Sequence, residues 1–181
     1  MTAQMDPVSI NGIHHFAYKC RDAAETRAFY EDILGLPLVM VLEANDVTTT
    51  TGDRLSFIHF FFEMADGNYV AFFDFGDGVA SQLDPKTPKF SHHLAFKLDT
   101  PEEFVRAEAL LKKHGIPYQG PLEHDFVRSL YFWDPNGVRL EYAYTFATPK
   151  EMAAFKEGAS AALQRWVAKV KGAEPRIAEA V

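Results

Sequence analysis

The chain has 181 residues, a formal charge of −7 at pH 7 and 48% hydrophobic residues, which suits one compact domain or two very small ones and excludes a chain disordered throughout. With 25 Asp and Glu against 18 Lys and Arg, nucleic acid is not expected as the main partner. The single cysteine, Cys20, cannot form an internal disulfide, and no run resembles a signal peptide or a membrane span of ~20 apolar residues, so a reduced, cytoplasmic, non-membrane protein is expected.

Residues 1–11 are polar and read as a leader. Ile13 to Cys20 reads as a strand bounded by Gly12 and Arg21-Asp22. Asp22-Ala23-Ala24-Glu25 is a capping-box start for a helix through Phe29, Tyr30, Ile33 and Leu34, and Gly35 ends it. Pro37 to Glu43 is a second strand, and the polar, Thr-rich stretch 44–54 reads as a loop. Arg54 to Met64 and Asn68 to Phe75 are strands joined at Asp66-Gly67, a strong hairpin signal.

The order then repeats. His92 to Leu98 is a strand, and Thr100-Pro101-Glu102-Glu103 opens a helix that Gly115 ends. Pro117 to Glu123, Arg128 to Asp134 and Val138 to Phe146 are three strands, the last two joined at Asn136-Gly137. His15 to His93 and Asp22 to Thr100 are both 78 positions apart, Gly35 to Gly115 is 80 and Gly67 to Gly137 is 70. The ordered matches predict a duplicated βαβββ unit. Thr148-Pro149-Lys150-Glu151 caps a third helix over 148–171, with Met152, Phe155, Ala159, Leu163, Trp166 and Val170 on one stripe. It is expected as an accessory helix packed on the sheet or on a second subunit, with 172–181 as a frayed tail.

Neighbouring strand residues point to opposite faces. Phe16, Tyr18 and Cys20, and in the second unit Leu94, Phe96 and Leu98, suit the faces packed under the helices. His15 and His93 then occupy the opposite, equivalent faces. On the last strand Leu140 and Tyr142 suit the packed side, which leaves Glu141 with the histidines. Two imidazoles and a carboxylate suit a divalent transition metal with open positions for substrate or water. Of the phenylalanines between Phe57 and Phe75, about half should pack in the core; the rest would line an apolar pocket for an aromatic or otherwise hydrophobic small molecule. No Gly-x-Ser-x-Gly elbow or phosphate loop is present.

Gly12-Ile13-His14-His15, the run Phe29 to Leu36, His92 to Phe96 and Asp134 to Glu141 together resemble the vicinal oxygen chelate superfamily, the glyoxalase, bleomycin-resistance and extradiol-dioxygenase group. The resemblance covers about residues 12–146. It implies an α+β fold of two tandem βαβββ modules, about 12–76 and 91–146, forming a curved mixed sheet around a metal site, and a homodimer. Its motif spacing selects His15, His93 and Glu141 as ligands. Glyoxalase-like members carry a further carboxylate at the position matching Ala71, which cannot ligate. The triad therefore resembles that of extradiol dioxygenases, with Fe(II) favoured over Zn, Ni, Mn or Co. The same resemblance marks Tyr131, His59 and His124 as candidate catalytic residues. It leaves open isomerase, epimerase or lyase chemistry through an enolate, and a bleomycin-resistance-type binding protein.

Overall fold

A computed structural model of the protein describes residues 11–82 and 86–172, with side chains described up to residue 169 in the last helix. Most of the expected leader and nearly all of the expected tail lie outside the described residues. The first module comprises β1 (His15–Lys19), α1 (Ala23–Arg27), β2 (Leu38–Thr48), β3 (Arg54–Glu63) and β4 (Tyr69–Asp74). The second comprises β5 (Leu94–Leu98), α2 (Pro101–Lys113), β6 (Tyr118–His124), β7 (Val127–Trp133) and β8 (Arg139–Thr145), and α3 (Pro149–Gly172) follows. The duplicated βαβββ order is thus present. Each module forms its own four-stranded mixed sheet, ordered β1-β4-β3-β2 and β5-β8-β7-β6, with the first and last strands parallel.

Three local details depart from the sequence pattern. The first helix is regular only to Arg27 and then widens over Ala28–Ile33 into turns closed five and six residues back, Leu34 N to Phe29 O at 3.0 Å and Leu36 N to Tyr30 O at 2.9 Å. Gly35, at φ 77°, carries the reversal that brings Leu36 back. Asp22 caps the Glu25 amide, but the Glu25 carboxylate turns to Arg21 instead of closing the box. Most of the expected loop at 44–54 is strand: Val47 pairs with Leu55 and Thr48 with Arg54 beyond a bulge at Ala44/Val47. β-Branched Val and Thr favour the pleated conformation, and Asp46, at φ 53°, absorbs the bulge while pairing with Arg54.

Both sheets turn their helix-covered faces into a shared core. Tyr30, Phe62 and Phe72 from the first module and Leu111, Phe132 and Leu140 from the second are fully buried. Each such side chain is worth roughly 1.5–3 kcal/mol of transfer free energy. Phe16, Tyr18, Cys20, Leu94, Phe96, Leu98, Leu140 and Tyr142 all belong to this core, as alternation predicts. The opposite faces, bearing His15 on one sheet and Glu141 on the other, therefore look away from it.

A polar network pins the modules together inside that core. Tyr30 Oη donates to Asp134 Oδ2 at 3.1 Å, and Asn136 Nδ2 donates to Thr26 Oγ1 at 3.0 Å. Asn136 Oδ1 accepts from the Arg21 amide at 3.0 Å, and Asp134 Oδ1 accepts from the Asn136 and Val138 amides. Burial raises the Asp134 carboxyl above its ordinary range against these bonds. Tyr30→Phe removes a donor from a buried carboxylate, so denaturant unfolding should show a loss of about 1–3 kcal/mol.

Cys20 is fully buried, and burial pushes its thiol from 9.0 up to about 11. Since the thiolate is the nucleophile, iodoacetamide should leave the native chain unlabelled at pH 8 and modify it on unfolding. Because the folded value is the higher one, the thiol's contribution to stability is complete below pH 9 and is lost as pH rises through about 11.

The third helix keeps its capping box, with Thr148 Oγ1 accepting from Glu151 N and Glu151 Oε2 accepting from Thr148 N. Its described side chains are exposed, and the Phe126–Phe155 ring contact at 5.9 Å joins it to the second module. Among the described residues no helix is long and apolar enough to cross a membrane.

Candidate metal centre

Alternation along β8 sends Leu140 and Tyr142 into the core and leaves Glu141 on the open face, yet Glu141 is only 5% exposed. Ser129 on β7 donates to Glu141 Oε1 at 2.5 Å, and Glu141 Oε2 lies 3.0 Å from His93 Nε2. His93 sits one residue before β5, where Ala95 pairs with Glu141. Its Nδ1 is 3.1 Å from the Phe90 carbonyl, which also accepts from Arg139 Nη1 at 2.9 Å.

A carbonyl only accepts, so this contact places a proton on Nδ1. A neutral ring then points a bare Nε2 lone pair at a buried carboxylate oxygen. That contact is favourable if the ring is protonated or if a cation lies between the two groups. Nδ1 bonded to a carbonyl with Nε2 free is also the usual arrangement of a metal-binding histidine. The His93–Glu141 pair therefore fits a divalent ion by donor chemistry and orientation. Ser129 and Arg139 were not singled out from the sequence. The one available signal for Ser129 was a small hydroxyl on the face otherwise shared by Tyr131 and Glu141.

Tyr131 pairs with Glu141 across β7 and β8, with its ring 6.0 Å from that of His93. Its hydroxyl is 3.1 Å from His124 Nε2, and the Arg139 guanidinium lies 4.1 Å from its ring centroid. Burial, with a contribution from Glu141, raises the phenol above its ordinary range, so it stays protonated at neutral pH. His93, Glu141, Tyr131 and His124 thus form one cluster on the second sheet.

His15 stands on the first sheet. Its ring lies 6.0 Å from His59 and 5.6 Å from Phe61, and its Nδ1 is 2.8 Å from His14 Nδ1. His59 stacks on Phe73 at 3.8 Å, and its Nε2 is buried without a hydrogen-bond partner. Burial, then the neighbouring His15, lowers its pKa below the ordinary histidine value. Ala71, the position matching the fourth ligand, is fully buried on this face. Asp74 is turned to the helix side, where it accepts from the Ala23 amide at 2.8 Å. Within one chain, no three such side chains among the described residues are close enough to hold a metal. The expected meeting of His15 with His93 and Glu141 is therefore not made inside a single chain, because the modules pack through the faces opposite to those bearing them.

A sequence profile described as the Glyoxalase/Bleomycin resistance protein/Dioxygenase superfamily matches residues 12–142. Biphenyl-2,3-diol 1,2-dioxygenase 2 of Rhodococcus globerulus is 33% identical over 84 residues, 45% of this chain and 44% of that protein. Biphenyl-2,3-diol 1,2-dioxygenase 3 of the same organism is 26% identical over 145 residues, 80% of this chain and 69% of that protein. The chain thus spans less than half of the first relative. The crystal structure of a glyoxalase/dioxygenase from Nostoc punctiforme superposes with a TM-score of 0.55 at 29% identity, covering 81% of this chain and 99% of that one. With this match over most of its length and the paired modules in place, the chain belongs to the glyoxalase/bleomycin resistance protein/dioxygenase superfamily, the vicinal oxygen chelate group.

Proposed function

We propose that the protein is a dioxygenase-like metalloenzyme acting on a small aromatic compound that bears two adjacent oxygens, with Fe(II) as its metal. The observation that carries this reading is the His93–Glu141 pair, oriented by Phe90, Arg139 and Ser129 on an open sheet face. The likeness to two biphenyl-diol dioxygenases supports it. His93 and Glu141 would hold the ion together with His15 of a second copy of the chain, since each module's ligand-bearing face is turned outward. The exposed apolar residues Met40, Val41 and Leu42 on β2, the outer strand of the first sheet, support such pairing.

When bound, the ion would polarise two adjacent substrate oxygens and offer a site for dioxygen. The chain's own residues do the rest. Ser129 holds one Glu141 oxygen in place, and the Phe90 carbonyl fixes the His93 tautomer. Tyr131, protonated and backed by His124, would donate a hydrogen bond to a substrate oxygen beside His93. His59 of the second copy, beside the His15 that copy supplies and with its pKa lowered by burial, would be neutral near pH 7 and would take a substrate proton.

The reading is tested by oxygen uptake. Protein loaded anaerobically with Fe(II) should consume dioxygen in step with catechol loss. Tight zinc, nickel or manganese with no oxygen uptake would overturn the oxygenase assignment.

A further inference from the structure

The two modules meet at two equivalent junctions of the duplicated fold, and polar bonds cross only one of them. With Gly67 matching Gly137, Met64 and Asp66 stand where Asp134 and Asn136 stand in the second hairpin, and Asp99 stands where Arg21 stands. The second hairpin crosses to the first module through Asp134 to Tyr30, and through Asn136 to Thr26 and the Arg21 amide. Among the described residues the first hairpin makes no such crossing. Asp66 accepts from the Asn68 amide at 3.0 Å and from Asn68 Nδ2 at 2.8 Å, within its own turn. The Asp99 amide donates to Glu103 Oε2 at 2.8 Å, within its own helix cap. The Met64 side chain has no N–H or O–H to offer. A cavity of about 370 Å³ lies at this junction. Leu34, Leu36, Met64 and Leu98 wall it, and the exposed Asp66, Lys97 and Asp99 stand at its rim. Tyr142, on the core side of β8, lines it with a ring packed against Phe96 and Phe132, at 6.2 and 4.8 Å between centroids. Tyr142 is only 8% exposed, yet its hydroxyl makes no hydrogen bond among the described residues.

We propose that this junction cavity is a second ligand site, which takes a small uncharged aliphatic molecule bearing one hydrogen-bond acceptor, such as a medium-chain ketone or ester. Its volume falls within the range of small-molecule pockets. The walls are mainly aliphatic, and the unbranched Met64 thioether adapts its shape to a flexible chain. The Tyr142 hydroxyl supplies the polar anchor: a buried O–H without a partner is unfavourable, and an acceptor inside the cavity satisfies it. Charge at the rim excludes the ionised alternatives. Lys97 is already ion-paired to Asp99, and Asp66 adds a further carboxylate, so a carboxylate ligand meets net repulsion. An ammonium group has no lone pair for the Tyr142 proton. The ligand thus bridges the first hairpin to β5 and β8, where the second junction uses Asp134 and Asn136 of the chain itself. This site is separate from the candidate metal centre and independent of the reading given above. Tyr142 and Glu141 are successive residues of β8 and face opposite sides of the sheet, and the cavity meets none of the candidate metal-site residues.

The experiment is a calorimetric titration of the full chain with 2-nonanone and, separately, with nonanoate, which has the same chain length but carries a charge. The wild type should bind one 2-nonanone per chain saturably, and nonanoate at least ~10-fold more weakly, because the rim carboxylates repel it. Tyr142→Phe keeps the ring and removes only the donor, so 2-nonanone affinity should fall about 5- to 10-fold, the worth of one hydrogen bond. Ala65→Trp fills the cavity from an exposed turn residue and should abolish binding. Circular dichroism checks that both variants keep the fold, and Ala65→Trp, lying outside the core, carries the test if Tyr142→Phe does not fold. Absence of saturable binding to the wild type, or binding unchanged in Ala65→Trp, would overturn the proposal. So would nonanoate binding as tightly as 2-nonanone, or a folded Tyr142→Phe variant with wild-type affinity.

Discussion

Glu141→Ala should abolish tight Fe(II) binding, and Ser129→Ala should weaken it without abolishing it. Glu141 is buried, and its two oxygens are committed, one to the Ser129 hydroxyl and one to His93 Nε2. Losing the hydroxyl frees the carboxylate to rotate and typically costs 10–100-fold in metal affinity. Losing the carboxylate removes a bond to the ion itself, so the deficit should exceed that range. Competition against a chelator of known affinity reads both. The fold should survive, since Ala at 141 leaves no charge buried without a partner, and the core on the other side of β8 is untouched. Equal losses in the two variants would mean that Ser129 is itself a ligand. No loss in either would remove Glu141 from the site.

Mixing two inactive chains should restore activity. His15→Ala and Glu141→Ala chains each lack one ligand. If each site takes His15 from one copy and His93 with Glu141 from the other, a mixed dimer holds one intact and one doubly impaired site. Random mixing then recovers about a quarter of the wild-type metal content and oxygen uptake. Sites formed within one chain would show no recovery at any mixing ratio.

Much of this arrangement was legible in the sequence because it follows from local rules. Thr100 with Glu103 and Thr148 with Glu151 closed their capping boxes in the structure. Two-residue alternation put Phe16, Leu94 and Leu140 in the core and Glu141 opposite. What escaped depends on partners distant in sequence or on competition between equally good local choices. The widened turn at Ala28–Ile33 keeps both Phe29 and Tyr30 buried, and Tyr30 reaches Asp134, a hundred residues away. The length of the β2–β3 hairpin was hidden because threonine suits both loop and strand, while Asn45, Asp46 and Gly52 around it are loop formers. The separation of His15 from His93 was hidden most deeply. Both candidate arrangements satisfy the same alternation, and only the packing of one module on the other, through Thr26, Tyr30, Asp134 and Asn136, turns the ligand faces apart. Ser129 looked like an ordinary strand residue until its register with Ala143 set it beside the carboxylate.

The most direct test of the central claim is a crystal structure of the protein grown anaerobically with Fe(II), with anomalous scattering at the iron edge. The account predicts one iron per chain, bonded at about 2.0–2.2 Å to His93 Nε2, a Glu141 oxygen and His15 of a second copy. Iron bound elsewhere, or a His93–Glu141 contact left at its present distance with no ion between the two side chains, would contradict it.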